Sequence, residues 1–279
     1  MALLEAQNIS FGYGGRLVLD NLSFAIDKGS LVSLLGPNGC GKTTLLKTLL
    51  GLLPADGGEV RFEGRPISSY DRRELARRVA YVPQIHKAAF AYRALDVVLM
   101  GRLPHKGFWS SYHRRDERLA LEALDKLGIR HLSRRPYTEI SGGERQMVLI
   151  ARALCQGAHT FILDEPANGL DYGNQIKLLD QLATLSGEGY TFVMSTHFPD
   201  HVLWVASQVV MLRDGNVVAE GPPDAVVTRQ NLCRLYQAEV EVWQLLENFK
   251  ICVPQRLRSR LCDCEKHDTH RPVLGAGRC

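Results

Sequence analysis

Residues 36 to 43 combine the residue types and the spacing of a phosphate-binding loop. The run reads Gly36-Pro37-Asn38-Gly39-Cys40-Gly41-Lys42-Thr43. In a glycine-rich loop of this kind, successive backbone N–H groups can point at phosphate oxygens, and the start of the next helix adds positive partial charge. Lys42 would reach the β- and γ-phosphates, and the Thr43 hydroxyl would bind Mg2+. The loop therefore predicts a nucleotide site.

A pair of adjacent carboxylates follows about 120 residues later. Residues 161–163 are apolar, and Asp164 and Glu165 come directly after them. In this arrangement the first carboxylate can hold Mg2+, usually through water, and the second can polarise an attacking water molecule. Either acid alone would be weak evidence, but the pair together with the phosphate loop indicates hydrolysis of a nucleotide.

The elements that must position these groups alternate along the chain. Residues 30–35 form a short apolar run before the loop, and residues 44–50 are helical in composition and end at Gly51, so strand, loop and helix come in the required order. Apolar or alternating runs predict further strands at 3–11, 22–26, 59–64, 79–83, 160–164, 190–196 and 207–212. The pattern predicts an α/β core with a largely parallel sheet and an antiparallel β flank.

A helical insertion is expected inside this core. Residues 94–101 and 114–128 are helical in pattern, and no strong strand pattern falls between Gln84 and Thr160. After Val240 the pattern weakens into Pro254, a basic stretch and a Cys/His cluster. We therefore expect one domain over residues 1–240, with an insertion at about 85–144, and a poorly ordered extension over 241–279.

Composition and charge limit the classes of function. The chain has 279 residues, of which 45% are hydrophobic, and no stretch approaches the 18 to 20 uninterrupted apolar residues of a membrane span. The N-terminus lacks the basic and apolar segments of a signal peptide, and Cys40 lies where a disulfide would obstruct nucleotide, so we expect a protein of the reducing cytoplasm. Residues 1–249 hold equal numbers of basic and acidic residues, which argues against nucleic acid as a partner.

Taken with Ser141-Gly142-Gly143-Glu144, Gln84 and His197, these motifs closely resemble the ATPase subunit of ATP-binding cassette (ABC) transporters, over roughly residues 3–230. The Ser-Gly-Gly signature ahead of the Asp-Glu strand is very specific to that family. The resemblance implies a P-loop NTPase (RecA-like) core with an antiparallel β subdomain and an inserted α-helical subdomain. It also implies ATP and Mg2+ as ligands.

The resemblance assigns roles position by position. Asp164 matches the metal carboxylate, Glu165 the general base, and His197 the switch residue on the γ-phosphate. Gln84 matches the glutamine that contacts Mg2+ and the attacking water. Asp171 matches the loop that crosses a dimer interface. The residues that match the phosphate cradle are Gly36, Asn38, Gly39, Cys40, Gly41, Lys42, Thr43 and Thr44.

Tyr13 and Ser141 each allow two interpretations. Tyr13 matches the aromatic residue that stacks on adenine, which requires only a π-face, but it could also be an ordinary edge-strand tyrosine. Ser141 and Glu144 form a capping-box pattern, and both interpretations of Ser141 can hold together because a helix N-terminus with exposed glycine N–H groups is an anion site. In the family this site, Ser141 with Gly142 and Gly143, binds the γ-phosphate held by a second copy.

Three positions depart from the commonest family pattern without removing a catalytic group. They are Ile140 for the usual Leu, Glu144 for the commonest Gln, and Ala167 for a frequent Thr.

Residues 94–105 resemble the corresponding helix in importers of ferric siderophores, haem, cobalamin and, in some relatives, molybdate or tungstate. The resemblance implies permease subunits as partners, a substrate-binding protein indirectly, and a peripheral position on the cytoplasmic face of the inner membrane. An exporter subunit and a non-transport ABC ATPase stay open as alternatives, the latter disfavoured by the single cassette and the lack of a long coiled coil.

Two surfaces stay ambiguous in the sequence. The apolar stripe Leu95, Val98 and Leu99, with basic residues such as Arg102 around it, could dock a permease helix or face the insertion's own core. The cluster between Cys262 and His270 could be part of a disordered basic tail or a metal-binding or redox-sensitive element, since its spacing is not a standard zinc pattern.

Overall fold

The computed structural model describes residues 2–84, 91–107, 110–246 and 249–257. Its strands are β1 (Leu4–Tyr13), β2 (Arg16–Ile26), β3 (Leu31–Leu35), β4 (Gly57–Phe62), β5 (Arg65–Pro66), β6 (Val79–Val82), β7 (Thr160–Leu163), β8 (Thr191–Thr196), β9 (Gln208–Arg213), β10 (Asn216–Gly221), β11 (Val240–Leu246) and β12 (Phe249–Pro254). Its helices are α1 (Lys42–Leu49), α2 (Arg72–Ala76), α3 (Ala94–Leu99), α4 (Arg114–Lys126), α5 (Gly142–Cys155), α6 (Tyr172–Gly187), α7 (Pro199–Val205), α8 (Pro223–Val226) and α9 (Arg229–Tyr236).

The central sheet has six strands in the order β10-β9-β3-β8-β7-β6. All neighbouring pairs are parallel except β10 with β9, which are antiparallel. Strand β3 is buried at every residue, as a continuous apolar run in the middle of a covered parallel sheet should be. The carboxyl ends of β3, β8, β7 and β6 lie side by side, so the loops that follow them meet at one edge.

The two faces of this sheet belong to different apolar clusters. On one face Val32 and Leu34 of β3 pack with α1 and the antiparallel sheet. On the other, Phe192 and Met194 of β8 pack with helices α3 to α6. This division follows from the alternation of side chains along each strand. A four-stranded antiparallel sheet, β2-β1-β4-β5, covers the first face, as the sequence predicts.

Between β6 and β7, the described residues contain helices and no strand of either large sheet. Helices α3, α4 and α5 pack on one another in the larger apolar cluster. Leu95, Val98 and Leu99 lie in that cluster and are each less than 10% exposed. The interpretation that these residues dock a permease is therefore wrong, because the stripe faces the insertion's own core.

Arg102, one of the basic residues around the stripe, is largely buried. Its side chain is 13% exposed, forms an ion pair with Asp116 at 3.3 Å, and donates to the carbonyl oxygen of Cys155. Lys106 forms a second ion pair with Asp116. Burial alone would raise the pKa of Asp116, but these cations and the backbone N–H of His113 lower it to about 2. Arg102 is thus a structural cation of the insertion.

The region after Val240 is more regular than its sequence pattern indicates. Strands β11 and β12 form an antiparallel hairpin, and the backbone N–H of Cys252 donates to the side chain of Asp200 at the start of α7 at 3.0 Å. The described residues of β11 and β12 thus form regular structure within the extension for which the sequence pattern predicts poor order. The Cys262 to His270 cluster lies outside the described residues.

Across the described ranges, we find no helix with the length and apolarity needed to span a bilayer.

Candidate functional site

The phosphate loop, residues 36–43, connects β3 to α1 and has a backbone that only glycine adopts readily. Gly39 and Gly41 have φ angles of 82° and 105°, in the left-handed region. A Cβ added at Gly36 would lie 2.3 Å from the carbonyl oxygen of Leu212, so that position is closed to any side chain. Burial raises the pKa of the Cys40 thiol, which favours its protonated form.

Lys42 is folded back into this loop. Its ammonium donates to the carbonyl oxygens of Gly36 at 2.8 Å and Pro37 at 3.0 Å, and it lies 3.4 Å from Oε1 of Glu165. The residue is only 5% exposed. The cation is therefore held at the centre of the loop, where phosphate oxygens would compete with the carbonyls and the carboxylate for its three protons.

Asp164, at the end of β7, is bound by two hydroxyl groups. Thr43 Oγ1 donates to Oδ2 at 2.8 Å, and Ser195 Oγ donates to Oδ1 at 2.8 Å. The carboxylate is 2% exposed. Because β3, β8 and β7 are neighbours, Asp164 meets Ser195, which lies 31 positions away in the chain, and Thr43, which lies 121 positions away.

Glu165 occupies a constrained backbone position with φ of 46°. A non-glycine residue rarely adopts this conformation, and such positions concentrate at functional sites. Its N–H donates to Ser195 Oγ at 2.8 Å. Its Oε2 accepts from Gln84 at 3.1 Å and from Asn168 at 3.0 Å. The backbone N–H and both carboxylate oxygens of Glu165 thus have contacts from four residues, Ser195, Gln84, Asn168 and Lys42.

His197 follows β8 and faces the same carboxylate. Its Nδ1 lies 3.4 Å from Oε2 of Glu165 but makes no hydrogen bond to any described residue, although the atom is buried. A buried nitrogen without a partner suits a residue that binds a phosphate oxygen. The carbonyl oxygen of His197 accepts from Tyr236 Oη at 2.8 Å, which anchors the loop to α9.

Tyr13 stands at the end of β1, beside the hairpin turn that leads into β2. The residue is 50% exposed, and its ring contacts Phe11 edge to face at 4.8 Å. Strand β2 packs closely against the phosphate loop. A Cβ added at Gly41 would lie only 3.1 Å from the carbonyl oxygen of Val18. An exposed aromatic face on this hairpin is compatible with stacking on adenine.

Ser141, Gly142 and Gly143 form a second cluster, at the start of α5. Ser141 caps the helix: its N–H donates to Glu144 Oε2 at 2.8 Å and its Oγ accepts from the Glu144 N–H at 3.3 Å. These hydrogen bonds lower the pKa of Glu144. A Cβ at Gly143 would lie 2.9 Å from Asn174, so this glycine allows α5 to approach α6 closely.

Asp171 caps the neighbouring helix α6. Its carboxylate accepts from the N–H of Asn174 at 2.9 Å, a bond that lowers the pKa of Asp171. The residue is exposed. The structure therefore places Ser141 and Asp171 at two adjacent helix starts, and the groups around Glu165 at the edge of the central sheet.

Comparison with known proteins decides the family. The model of the family described as "ABC transporter" matches residues 19–168. An uncharacterized ABC transporter ATP-binding protein of Haemophilus influenzae is 40% identical over 86% of this chain and 91% of its own length. The ferric enterobactin transport ATP-binding protein FepC of Escherichia coli is 35% identical over 85% and 88%.

The chain belongs to the ABC transporter family.

Solved structures agree with this assignment. A metal-chelate type ABC transporter in an inward-facing conformation has a chain that is 34% identical, with a TM-score of 0.81 over 91% of this chain and 97% of that one. A dimeric ATP-binding cassette in a post-hydrolysis state, bound to ADP and Pi, is 26% identical with a TM-score of 0.68, over 79% and 98%. This ABC protein is an ATP-binding and ATP-hydrolysing transporter subunit. The family resemblance, the fold class and the ATPase activity expected from the sequence are therefore confirmed.

The ABC site also has oxygen groups suited to Mg2+. Mg2+ prefers oxygen ligands and usually takes only one or two from the protein, with substrate phosphates and water supplying the rest. The Thr43 hydroxyl and the Asp164 carboxylate are such oxygens and touch each other at 2.8 Å. Gln84 reaches the same edge through Glu165.

The sequence interpretation missed two groups of this ABC site. Ser195 binds both Asp164 and the N–H of Glu165, and Asn168 binds the carboxylate of Glu165. Ser195 lies two positions before His197 and Asn168 three positions before Asp171, but a Ser at a strand end and an Asn in a turn have no chemical signature of their own. Their roles depend on which strands are neighbours.

Proposed function

We propose that this chain hydrolyses ATP between two copies of itself and thereby powers an importer of a metal chelate or a metal oxyanion. The observation that carries the proposal is the likeness to a metal-chelate type transporter chain over nine-tenths of this one. It is supported by the segment 94–105, which resembles the same importer group. The catalytic geometry is common to importers and exporters, so it supports the reaction but not the direction.

In the proposed reaction, Glu165 takes a proton from the attacking water as general base. The contacts from Gln84 and Asn168 orient its carboxylate, which a base must present within hydrogen-bond distance of the water. Lys42 and the unpartnered Nδ1 of His197 face the same space, where negative charge spreads over the γ-phosphate oxygens. Thr43, Asp164 and Gln84 would hold Mg2+, whose positive charge would offset the negative charge of the phosphates.

The second cluster completes the site from another copy. The start of α5 carries the exposed Ser141 and Gly142 at a helix N-terminus, which attracts anions. Within one chain Ser141 and Asp171 lie at helix starts rather than at the sheet edge. We propose that a second copy turns its α5 start toward the γ-phosphate bound by Lys42, with Asp171 crossing between the copies. Tyr13 would stack on the adenine.

A different surface from the stripe on α3 suits the permease. A groove of about 750 Å3 runs between the end of α1, strand β4 and helix α2, and we call it the α1–α2 groove. Leu52, Ile67, Tyr81 and Gln156 line it, and Leu52 is 60% exposed. An open groove lined by both apolar and polar side chains fits an amphipathic helix. We propose that a permease helix lies here, that a substrate-binding protein delivers cargo to that permease, and that the subunit lies on the cytoplasmic face of the inner membrane.

The test is reconstitution with the permease encoded beside this chain in its genome. The complex is placed in proteoliposomes with ATP on the side of this subunit, and uptake of labelled ferric hydroxamate, hemin, cobalamin and molybdate is measured one at a time. We expect ATP-dependent movement of one of them toward the ATP side, lost in Glu165→Gln. Movement away from the ATP side would make the complex an exporter.

Docking has its own matched pair of variants. Leu52→Glu places a charge in the α1–α2 groove, whereas Leu17→Glu places one on β2, where the leucine is similarly exposed at 57%. We expect only Leu52→Glu to weaken co-purification with the permease from detergent. Equal retention of both variants would exclude the groove, and recovery of nucleic acid or soluble partners alone would exclude the transporter function.

A further inference from the structure

A chain of four hydrogen bonds connects two loops of the site through His201. Phe198 N–H donates to Thr196 Oγ1 at 3.1 Å, and Thr196 Oγ1 lies 3.4 Å from His201 Nδ1. His201 Nε2 lies 3.2 Å from Gln175 Oε1, and Gln175 Nε2 donates to the carbonyl oxygen of Leu170 at 3.0 Å. We call this set the His201 relay.

The chemistry of the two ends fixes the direction of every bond in the relay. The carbonyl oxygen of Leu170 can only accept, so the amide nitrogen of Gln175 faces it and Oε1 faces the imidazole. That oxygen also only accepts, so His201 must carry its proton on Nε2. Nδ1 is then a free acceptor for the Thr196 hydroxyl, which accepts in turn from Phe198. Each member donates toward Leu170.

The surroundings of His201 keep it in this neutral form. The residue is 4% exposed, and its ring lies between Phe198 at 4.8 Å and Trp204 at 5.5 Å. Burial, with a smaller contribution from the charge of His197, lowers the pKa of His201 to about 4. A neutral imidazole with one donor and one acceptor is the species that the relay requires.

The relay ends at the backbone of two loops, and these loops carry residues of the proposed reaction. Thr196 and Phe198 flank His197, the residue proposed to bind the γ-phosphate. Leu170 precedes Asp171 and follows the turn whose Asn168 binds Glu165. A displacement of either loop therefore strains the hydrogen bonds of the other.

We propose that His201, with Gln175, is a positioning residue that couples the switch-histidine loop to the loop 168–171. It fixes the position of His197 relative to the loop 168–171. The contact of His197 with the γ-phosphate then forms when the second copy binds. We assign His201 and Gln175 no direct contact with the nucleotide or with the attacking water. The inference rests on the proposed two-copy site but not on the cargo or on the direction of transport.

The test is a double-mutant cycle in the purified full chain, with His201→Leu, Gln175→Leu and both together. A displacement of about 1 Å at a catalytic group costs on the order of 100-fold in rate. We expect each single change to lower kcat for ATP hydrolysis about 10- to 100-fold with KM for ATP within about twofold, and the double change to cost no more than either single one. The matched control is Gln181→Leu, because Gln181 on α6 makes the same kind of bond, to the carbonyl oxygen of Lys126, away from the site.

Independent, additive losses would overturn the relay, as would single variants with the kcat of Gln181→Leu. Rescue by His201→Gln, whose amide can still donate to Gln175, supports it. If the wild-type chain binds no ATP, the proposed nucleotide site is wrong. If the wild type hydrolyses ATP and the variants hydrolyse it equally well, only the relay is wrong.

A second measurement uses only the wild-type chain, so it does not depend on whether the variants fold. Nitrogen-15 NMR of labelled histidine reports the protonated ring nitrogen directly. Between about pH 5 and pH 8 we expect His201 as the neutral tautomer with its proton on Nε2. A proton on Nδ1, or a charged ring in that range, would contradict the proposed direction of the bonds.

Discussion

The ammonium of Lys42 lies 3.4 Å from Oε1 of Glu165, and the two side chains are 4% and 10% exposed. The phosphate-loop cation and the carboxylate proposed as base are therefore direct neighbours in a largely dry site. Their attraction holds Glu165 toward the phosphate loop, while Gln84 and Asn168 hold its other oxygen. Removing the negative charge leaves Lys42 free for phosphate but removes the proton acceptor.

Glu165→Gln should consequently bind ATP and fail to hydrolyse it. A general base contributes about 10²- to 10⁴-fold, so we expect turnover to fall by that factor while nucleotide affinity is kept or increased. Steady-state hydrolysis and size exclusion with ATP measure both effects, and the variant should accumulate as a dimer. Glu188→Gln is the control, because Glu188 pairs with Lys126 on the surface. More than half of wild-type turnover in Glu165→Gln would contradict the assignment.

Mixed dimers test whether each ATP is shared between copies. When one copy carries Ser141→Arg and the other Lys42→Ala, one composite site loses both groups and the other stays intact. When a single copy carries both changes beside a wild-type partner, each site loses one group. We expect photo-crosslinking of ATP to label one site in the first dimer, with residual hydrolysis only there.

Greater hydrolysis in the second arrangement than in the first would show that each chain works alone, because only the second arrangement contains an unaltered chain. The loss of the Ser141 cap is expected to cost about 1 kcal/mol, so thermal melting should establish that all variants are folded.

The residues that the sequence motifs single out lie close together in the structure because they stand at strand ends. Asp164, Glu165 and His197 each follow an apolar run, and parallel strands bring their carboxyl ends to one edge. No single segment of the sequence specifies the order of the strands. The contact of Ser195 with Asp164 therefore follows only from the position of β8 beside β7 in the structure. Contacts between neighbours that are far apart in sequence are the part that motif analysis cannot supply.

The apolar stripe on α3 shows a different limit. Leu95, Val98 and Leu99 have the spacing of one helix face, but the spacing does not say what covers that face. Strand β10 and the hairpin β11–β12 were missed for a related reason. Their patterns are short and only partly apolar, and the hairpin is held by long-range contacts such as Cys252 with Asp200.

Tyr236→Phe tests the second anchor of the switch loop. The change removes only the hydroxyl that donates to the carbonyl oxygen of His197 at 2.8 Å. We expect a loss of about 1 kcal/mol in unfolding free energy and a fall in kcat at unchanged KM, since His197 becomes less well positioned. Tyr70→Phe is the matched control, because Tyr70 donates to the carbonyl oxygen of Phe62 at the same distance but away from the site.

The two tyrosine variants should lose similar stability and differ in kcat. Equal kcat would mean that the bond to His197 serves stability alone.

His201 also makes stability depend on pH with a definite sign. Burial lowers its pKa from 6.5 to about 4 in the folded chain, so below pH 6.5 the unfolded chain binds a proton more readily than the folded one. The contribution is fully present above pH 6.5 and is lost as the pH falls toward 4, by about 3 kcal/mol. Urea unfolding from pH 7.5 to pH 4 should show this loss in wild type and in His131→Gln, a change of an exposed histidine, but not in His201→Gln. Parallel curves for all three proteins would mean that His201 takes up its proton equally well in the folded and unfolded chain, and the buried neutral imidazole would be wrong.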